Sequence, residues 1–484
     1  MSLKSQAVSS VGWKLLEKGG SVVVKLVVQI VMARVLAPDQ FGMLAIMLVF
    51  VNVGNTIVQS GLNTALVQDP DVTERDYSTV FWLSFVVSLV LYAALFVSAP
   101  AIEEFYNTPG LTWPLRALGF ILFINAYNAV QIGKITRDLE MRKIFAGTVI
   151  SSLASSALGV GSALAGCGIW ALVIQQLSYQ AINVLAHAVQ VDWRPRLIFD
   201  PARARTLYSF GWKLLVSGLL STMQSSLMSL IVGKQFSDYQ LGIISQGEKY
   251  PAALGSMLDG VIQPVMLSTI SKVQDDVAYA RRIMRRALKT STYLVVPVMC
   301  LASVMAPTLV PVLLGEQWIP SVPFFRIFCI VNAMLPMHTT NLQALVGMGQ
   351  SGLFFKLEVI KTVVSVFGVV FASLVLRDVY ILAGTYILAG LISTFVNARP
   401  NKRVLGYAYL EQVRDIAPTI GLSVLGCVAA QCVCALPCEG FVLFALQAIV
   451  FAALYLGVSA LIQLEEFVYL VHEFQSVLYS HALR

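Results

Sequence analysis

Apolar stretches of roughly 20 residues recur along the whole chain, separated by short breaks marked by Pro, Gly and charged residues. A helix crossing a bilayer needs about 20 mostly apolar residues. The pattern predicts fourteen such segments, over 12–36, 40–63, 78–99, 111–133, 143–166, 169–191, 208–234, 241–270, 287–315, 322–349, 355–376, 379–398, 414–435 and 440–463. Gly166 and Gly168 predict a tight turn between the fifth and sixth. The connections are short, so no extramembrane catalytic domain is expected, and the fold class is an all-α polytopic membrane protein.

Composition strengthens this reading. Apolar residues make up 57% of the 484 and charged residues only 12%, against about 25% charged in soluble domains. With a mean hydropathy of +0.76, the chain must be solvated by lipid, which excludes secreted, cytosolic and nucleic-acid-binding proteins. The formal charge of +7 is explained by where Lys and Arg lie. Arg75, Lys134, Arg137, Arg142, Lys143, Arg194, Arg196, Arg203, Arg205, Lys272, Arg281, Arg282, Arg285, Arg286, Lys289, Lys356, Arg399, Lys402, Arg403 and Arg414 fall in connections on one side, and the alternate connections are nearly bare. Cytoplasmic loops carry the excess of cations, so both termini are expected inside, in agreement with an even helix count. Residues 1–10 lead into Lys14, Glu17 and Lys18 without a small-residue cleavage site, so the first segment is expected to stay.

The chain also echoes itself. Gly12-Trp13-Lys14-Leu15-Leu16 returns as Gly211-Trp212-Lys213-Leu214-Leu215, and Pro38-Asp39-Gln40-Phe41-Gly42 is answered by Ser237-Asp238-Tyr239-Gln240-Leu241-Gly242. Two six-helix sets of one orientation follow, a parallel repeat of the kind transporters use. The expected division is an N-lobe over 1–207 with segments 1–6, a C-lobe over 208–400 with segments 7–12, and residues 401–484 holding segments 13–14 and a cytoplasmic tail.

Ionisable residues inside a bilayer are costly and face a protein interior or aqueous cavity. In the first segment Lys14, Lys18, Ser21, Lys25 and Gln29 fall within an arc of about 80° at helical spacing. Lys14 and Lys18 can alternatively anchor the helix end by snorkelling, whereas Lys25 lies deeper. Lys213 repeats Lys14 in the seventh segment, with Gln224 on the same face. Lys249, Arg326 and Lys361 complete a candidate cationic cavity. Asn52, Asn55, Gln59 and Asn63 form a polar stripe in the second segment, either lining that cavity or bonding between helices. The excess of cations selects an anion, with phosphate or pyrophosphate the chemical match and the amides suited to sugar hydroxyls. Glu17, Glu248 and Glu358 are counter-ions or protonatable coupling groups, with a proton or sodium gradient as the drive.

Other constellations point to little chemistry. His187, His338, His472 and His481 show no metal-ligand spacing. Cys427, Cys432, Cys434 and Cys438 crowd together without a nearby His and read as small hydrophobes. No phosphate-cradling glycine loop occurs, so ATP is not expected as the direct drive, and no cofactor, metal or catalytic residue is expected. Pro251, Pro264, Pro297, Pro307 and Pro311 interrupt the eighth and ninth segments, as bending points or tolerated kinks.

The run Ala33-Arg34-Val35-Leu36-Ala37-Pro38-Asp39-Gln40-Phe41-Gly42 resembles the opening of bacterial polysaccharide flippases. So do Gly242-Ile243-Ile244-Ser245-Gln246, Gly260-Val261-Ile262-Gln263-Pro264-Val265 and Ser271-Lys272-Val273-Gln274-Asp275-Asp276. The chain is similar to the Wzx-like, colanic-acid-exporter branch of the superfamily that also holds multidrug and toxin extruders and the lipid II flippase. Two positions depart from that branch, Ile243 where an aromatic is common and Leu267-Ser268 where a Pro is common. The resemblance implies a two-lobed inner-membrane transporter, not an enzyme. Its substrate would be polyprenyl-pyrophosphate-linked oligosaccharide, carried by alternating access beside membrane lipid and polysaccharide polymerase machinery, with no nucleic acid partner. A multidrug-type or other cation-coupled exporter is the alternative. It would be expected to carry acidic cavity residues.

Overall fold

The computed structural model describes residues 20, 24, 26–59, 66, 72–138, 140–435 and 440–472, without the side chains of 208–211, 213–214, 258–265, 267–268 and 351. Among these residues all regular structure is helical. In chain order it consists of α1 (Leu26–Val35), α2 (Pro38–Gln59), α3 (Glu74–Tyr106), α4 (Thr112–Arg137), α5 (Met141–Leu164), α6 (Ile169–Gln190), α7 (Pro201–Gln235), α8 (Asp238–Ser271), α9 (Val277–Leu314), α10 (Glu316–Gly347), α11 (Ser351–Phe371), α12 (Val379–Ala398), α13 (Tyr409–Cys432) and α14 (Gly440–Leu461). Asn401–Val404 form a single further helical turn, and residues 465–472 a further helical stretch.

Twelve of these helices are long and apolar enough to cross a membrane. The other two predicted spans differ for separate reasons. The first is described only from its C-terminal half, and α8 carries Glu248, Lys249 and Asp259 in a helix too polar to qualify by composition. α4 and α10 are each broken in two, near Phe120 and Met334. The prolines of α9 are tolerated within one helix, which runs continuously through Pro297, Pro307 and Pro311.

Local chemistry fixes the helix starts. Asp200 caps α7 by accepting from the amides of Ala202 and Arg203, with Pro201 at the first helical position. Asp378 caps α12 through Tyr380 and Ile381, and Asp276 caps α9 through Tyr279. At α3, Thr73 and Asp76 form a reciprocal capping box, in which each satisfies an amide that the helix leaves open. Gly166 and Gly168, both at positive φ, make the predicted α5–α6 turn.

Beside the apolar core, small polar residues are buried and large aliphatics exposed on several helices. On α3, Ser84 and Ser88 are buried while Val90 and Val97 are 63% and 77% exposed. Ser151, Ser152 and Ser155 are buried on α5. Lipid is as apolar as Val, so helices associate through small and polar residues and leave large aliphatics outside.

The chain forms two compact units, Met1–Ser245 and Gln246–Arg484. In the first, Tyr77, Phe81, Val130, Ile135 and Trp193 build an aromatic-rich core. In the second, Met266, Ile270, Met284, Leu288 and Tyr407 build the largest one described. The repeat reaches the backbone at the α4–α5 and α10–α11 turns. There the amide of Glu140 donates to Ile135 O at 3.0 Å, and that of Gln350, 210 positions on, donates to Leu345 O at 2.9 Å.

Candidate translocation-path residues

Lys14, Glu17, Lys18, Lys25 and Asn63 lie outside the described residues, as does the side chain of Lys213. Of the remaining predicted cations, Lys249 is exposed on α8 beside half-buried Glu248. Lys361 is half-buried on α11 and forms an ion pair with Glu358, one turn away. Arg326 is exposed, and its Nε donates to Ser303 O of α9 at 3.1 Å. Arg116, 210 positions earlier, donates in the same way to Phe96 O of α3 at 3.1 Å.

The amides divide by environment. Gln29 is buried, Gln224 is half-buried, and Asn52 and Gln59 are exposed. Asn55 accepts from Asn125 Nδ2 of α4 at 3.0 Å, so at this position the stripe joins helices. The polar atoms that do come together lie elsewhere, in one network per unit.

In the first unit, Asn128 of α4 donates to Asn183 Oδ1 of α6 at 3.2 Å, which leaves its own Oδ1 to accept from Nδ1 of His187 at 2.8 Å. That chain of bonds sets the tautomer of a ring that is 1% exposed. The ring fits because α5 presents Gly147, where a Cβ would stand 2.6 Å from His187 Nε2. One turn further along α4, the Gln131 amide in its satisfied orientation bonds Val184 O and Ala188 N of α6.

In the second unit, Asn397 Nδ2 of α12 donates to Nδ1 of His338 on α10 at 3.2 Å. One turn further along α10, buried Asn341 exchanges bonds with Gln412 at 2.8 and 3.0 Å, and its Oδ1 accepts from Asn401 at 2.7 Å. Both His–Asn pairs span 59 residues and sit 210 positions apart. Sequence reading passed over them because neither histidine has metal spacing. The signal that could have found them was the conserved separation from an Asn.

At the cation-rich end of the second unit, α9 offers Arg281, Arg285 and Lys289 on one face. Arg281 bonds Glu411 at 2.7 Å, Arg285 forks onto Asp415 at 2.6 and 2.8 Å, and Lys289 pairs with Glu465 and buried Glu466. The Lys289 ammonium holds the Glu465 carboxyl below its usual range. Tyr407 donates to Asp415 at 2.6 Å, and burial raises its phenol. In the first unit the signs are reversed: α3 offers the acids, Asp76 to Arg203 at 2.8 Å and Glu74 to Lys134 at 2.9 Å.

A cavity of about 440 Å³ opens in the second unit between α9, α10, α12 and α13, lined by Met299, Cys300, Cys329, Met334, Leu391 and Cys427. It is apolar and contains none of the predicted cations. Cys427, Cys432 and Cys434 are free thiols, and Cys438 lies outside the described residues.

The helix order defines a class, the all-α polytopic membrane protein, with twelve membrane-length helices among the described residues. The chain superposes on a solved structure of the lipid II flippase MurJ, in its inward closed conformation, with a TM-score of 0.76 at 10% identity, covering 97% of this chain and 99% of that one. Residues 31–323 match the family described as Polysaccharide biosynthesis protein, and the chain belongs to it. Among curated relatives, the succinoglycan biosynthesis transport protein ExoT of Rhizobium meliloti is 22% identical over 365 residues, 75% of this chain and 74% of that one. The lipopolysaccharide biosynthesis protein WzxC of Escherichia coli is 21% identical over 425 residues, 86% of this chain and 85% of that one. The resemblance read from the motifs is therefore borne out at the level of the family.

Proposed function

We propose that this protein is a flippase of the bacterial inner membrane, with both termini cytoplasmic. It carries polyprenyl-pyrophosphate-linked oligosaccharide repeat units to the opposite leaflet for surface polysaccharide synthesis. The observation that carries the reading is the family match over residues 31–323 in a chain whose described structure is almost wholly membrane-length helices. The names of the relatives, a succinoglycan transport protein and a lipopolysaccharide biosynthesis protein, support the substrate class. Lys14, Lys18, Lys25 and Lys213 supply the pyrophosphate-facing charge in this reading, because a doubly anionic head group crossing a low-dielectric interior needs fixed cations along its path. Lys361, held by Glu358, adds one more, and a proton or sodium gradient drives the cycle.

The test compares Lys25→Ala and Lys213→Ala, alone and together, in cells with equal membrane abundance of the protein. Lipid-linked glycan accumulating on the cytoplasmic leaflet, with surface polysaccharide lost, is the expected result. Normal export in the double variant overturns the cationic path. A chain whose deletion changes drug tolerance and leaves surface glycan intact is instead an exporter of the multidrug type.

A further inference from the structure

The apolar cavity of the second unit is distinguished by the sulfur in its wall. Six of its eighteen lining side chains carry it: Met299 and Cys300 of α9, Cys329, Met334 and Met337 of α10, and Cys427 of α13. Cys and Met together supply only 7 and 15 of the 484 residues, so an even spread would put a single one there. The remaining polar lining is hydroxyls, and no lining residue is charged.

Two of the thiols come from helices that run side by side. Arg281–Glu411 and Arg285–Asp415 tie α9 to α13 at one end. Fifteen and twelve residues further on, about 20 Å along each helix, Cys300 and Cys427 meet as hydrogen-bond partners. Both are half-buried free thiols, and both pack against the core of Tyr293, Leu422, Phe451 and Tyr455. Gly426, beside Cys427, lets Phe451 of α14 press on α13, since a Cβ there would stand 2.8 Å from the ring. The pair is therefore set by packing on its core side and faces the cavity on the other.

Soft sulfur donors select a soft acceptor. The apolar wall adds a condition on charge, because an uncompensated ion in such surroundings is costly. Two thiolates cancel two positive charges, so Cu(I) on both would leave a net negative charge, whereas Hg(II) or an organoarsenic(III) centre gives a neutral product. Zn(II) takes four ligands, and among the described residues no group of three or more His, Cys, Asp and Glu side chains gathers as a ligand set. We infer that Cys300 and Cys427 form a dithiol site for a soft centre that two thiolates neutralise, of the organoarsenic(III) class, with the cavity of about 440 Å³ taking its apolar substituent. With phenylarsine oxide, two As–S bonds form as the arsenic–oxygen bond breaks, and the oxygen leaves as water with both thiol protons. Arsenic stays trivalent, so nothing is oxidised or reduced. The site belongs to the second unit alone and stands whether or not the protein is a flippase.

The test uses the full-length protein carrying Cys432→Ser, Cys434→Ser and Cys438→Ser, which removes the thiols that crowd together in sequence, with phenylarsine oxide as the probe. Intact mass should show one phenylarsenic adduct per chain, and mapping of the thiols still open to N-ethylmaleimide should show Cys300 and Cys427 protected. Dimercaptopropanol should release the adduct and mercaptoethanol should not, because only a dithiol replaces the second bond intramolecularly. Adding Cys300→Ser or Cys427→Ser should lower capture by about tenfold or more, and adding Cys329→Ser should leave it unchanged. Capture undiminished by Cys300→Ser, or protection of any other pair, overturns the site. So does a folded protein that takes up no arsenic when the same chain unfolded in dodecyl sulfate does. The mapping needs no change at either cysteine, so it decides the matter even where Cys300→Ser fails to fold.

Discussion

The first unit places Asn on α4 and His on α6, and the second places His on α10 and Asn on α12, with the same spacing between partners. The repeat has kept the contact and exchanged its ends. What matters at these positions is one imidazole and one amide bridging the first and third helices of each triplet. The surroundings have diverged further. His187 is sealed against Gly147 and bonds at 2.8 Å, whereas His338 is half-buried and bonds at 3.2 Å. At the next turn Gln131 is satisfied by the backbone of α6, whereas Asn341 reaches Gln412 on α13, a helix beyond the twelve of the repeat. α13 is thus tied to α10 through a pair of buried amides.

Breaking that tie should produce the largest effect. Asn341→Ala leaves buried Gln412 Oε1 without its donor and takes one of two acceptors from each of the Gln412 and Asn401 amides, and should destabilise the protein by about 3 kcal/mol, read as a lowered Tm in detergent. Gln131→Ala, which leaves only two backbone groups to find partners, should cost about half as much. Next comes the imidazole pair. His187→Leu should cost about 2 kcal/mol and His338→Leu about 1 kcal/mol, since the second ring is less buried. An equal loss at both sites would show that burial does not set the difference. The exchange itself can be tested with Asn128→His combined with His187→Asn. The double variant should recover about 1 kcal/mol over the sum of the single losses, and additive losses would mean that order matters after all. At the helix ends, Asp415→Asn should cost about 1–2 kcal/mol by unpairing the Arg285 fork and Tyr407.

The smallest effect is the pH dependence of the Lys289–Glu465 pair. A carboxyl held below its usual range binds its proton less readily when folded, so its contribution is present at neutral pH and fades as pH falls through the carboxylate range. Glu465→Gln should remove that slope from the acid limb of a Tm–pH curve and lower the neutral Tm by the same amount, a small one because the side chain is largely exposed.

Much of this was legible in the chain. The apolar runs located helices that the structure contains, and Gly166 and Gly168 marked a real turn. The polar stripe of the second segment was read correctly as polar, but its Asn55 bonds a neighbouring helix, which spacing alone left undecided. Arg326 reads from the sequence as a candidate cavity cation, and what the structure adds is that its guanidinium donates to the carbonyl of Ser303 at 3.1 Å. No periodicity reports such a bond, because its acceptor lies on a different helix.

The sequence by itself determined membrane residence, the helix positions and the repeat, since these follow from hydropathy over about 20 residues and from identity between distant segments. Only the tertiary structure decided that Cys300 and Cys427 share a cavity wall, that His187 and His338 each meet an Asn, and that Asn341 closes onto Gln412. Lipid gives no hydrophobic reward for joining one helix to another. Helix pairing therefore rests on close backbone approach and on satisfied polar groups, which are relations between residues far apart in the chain.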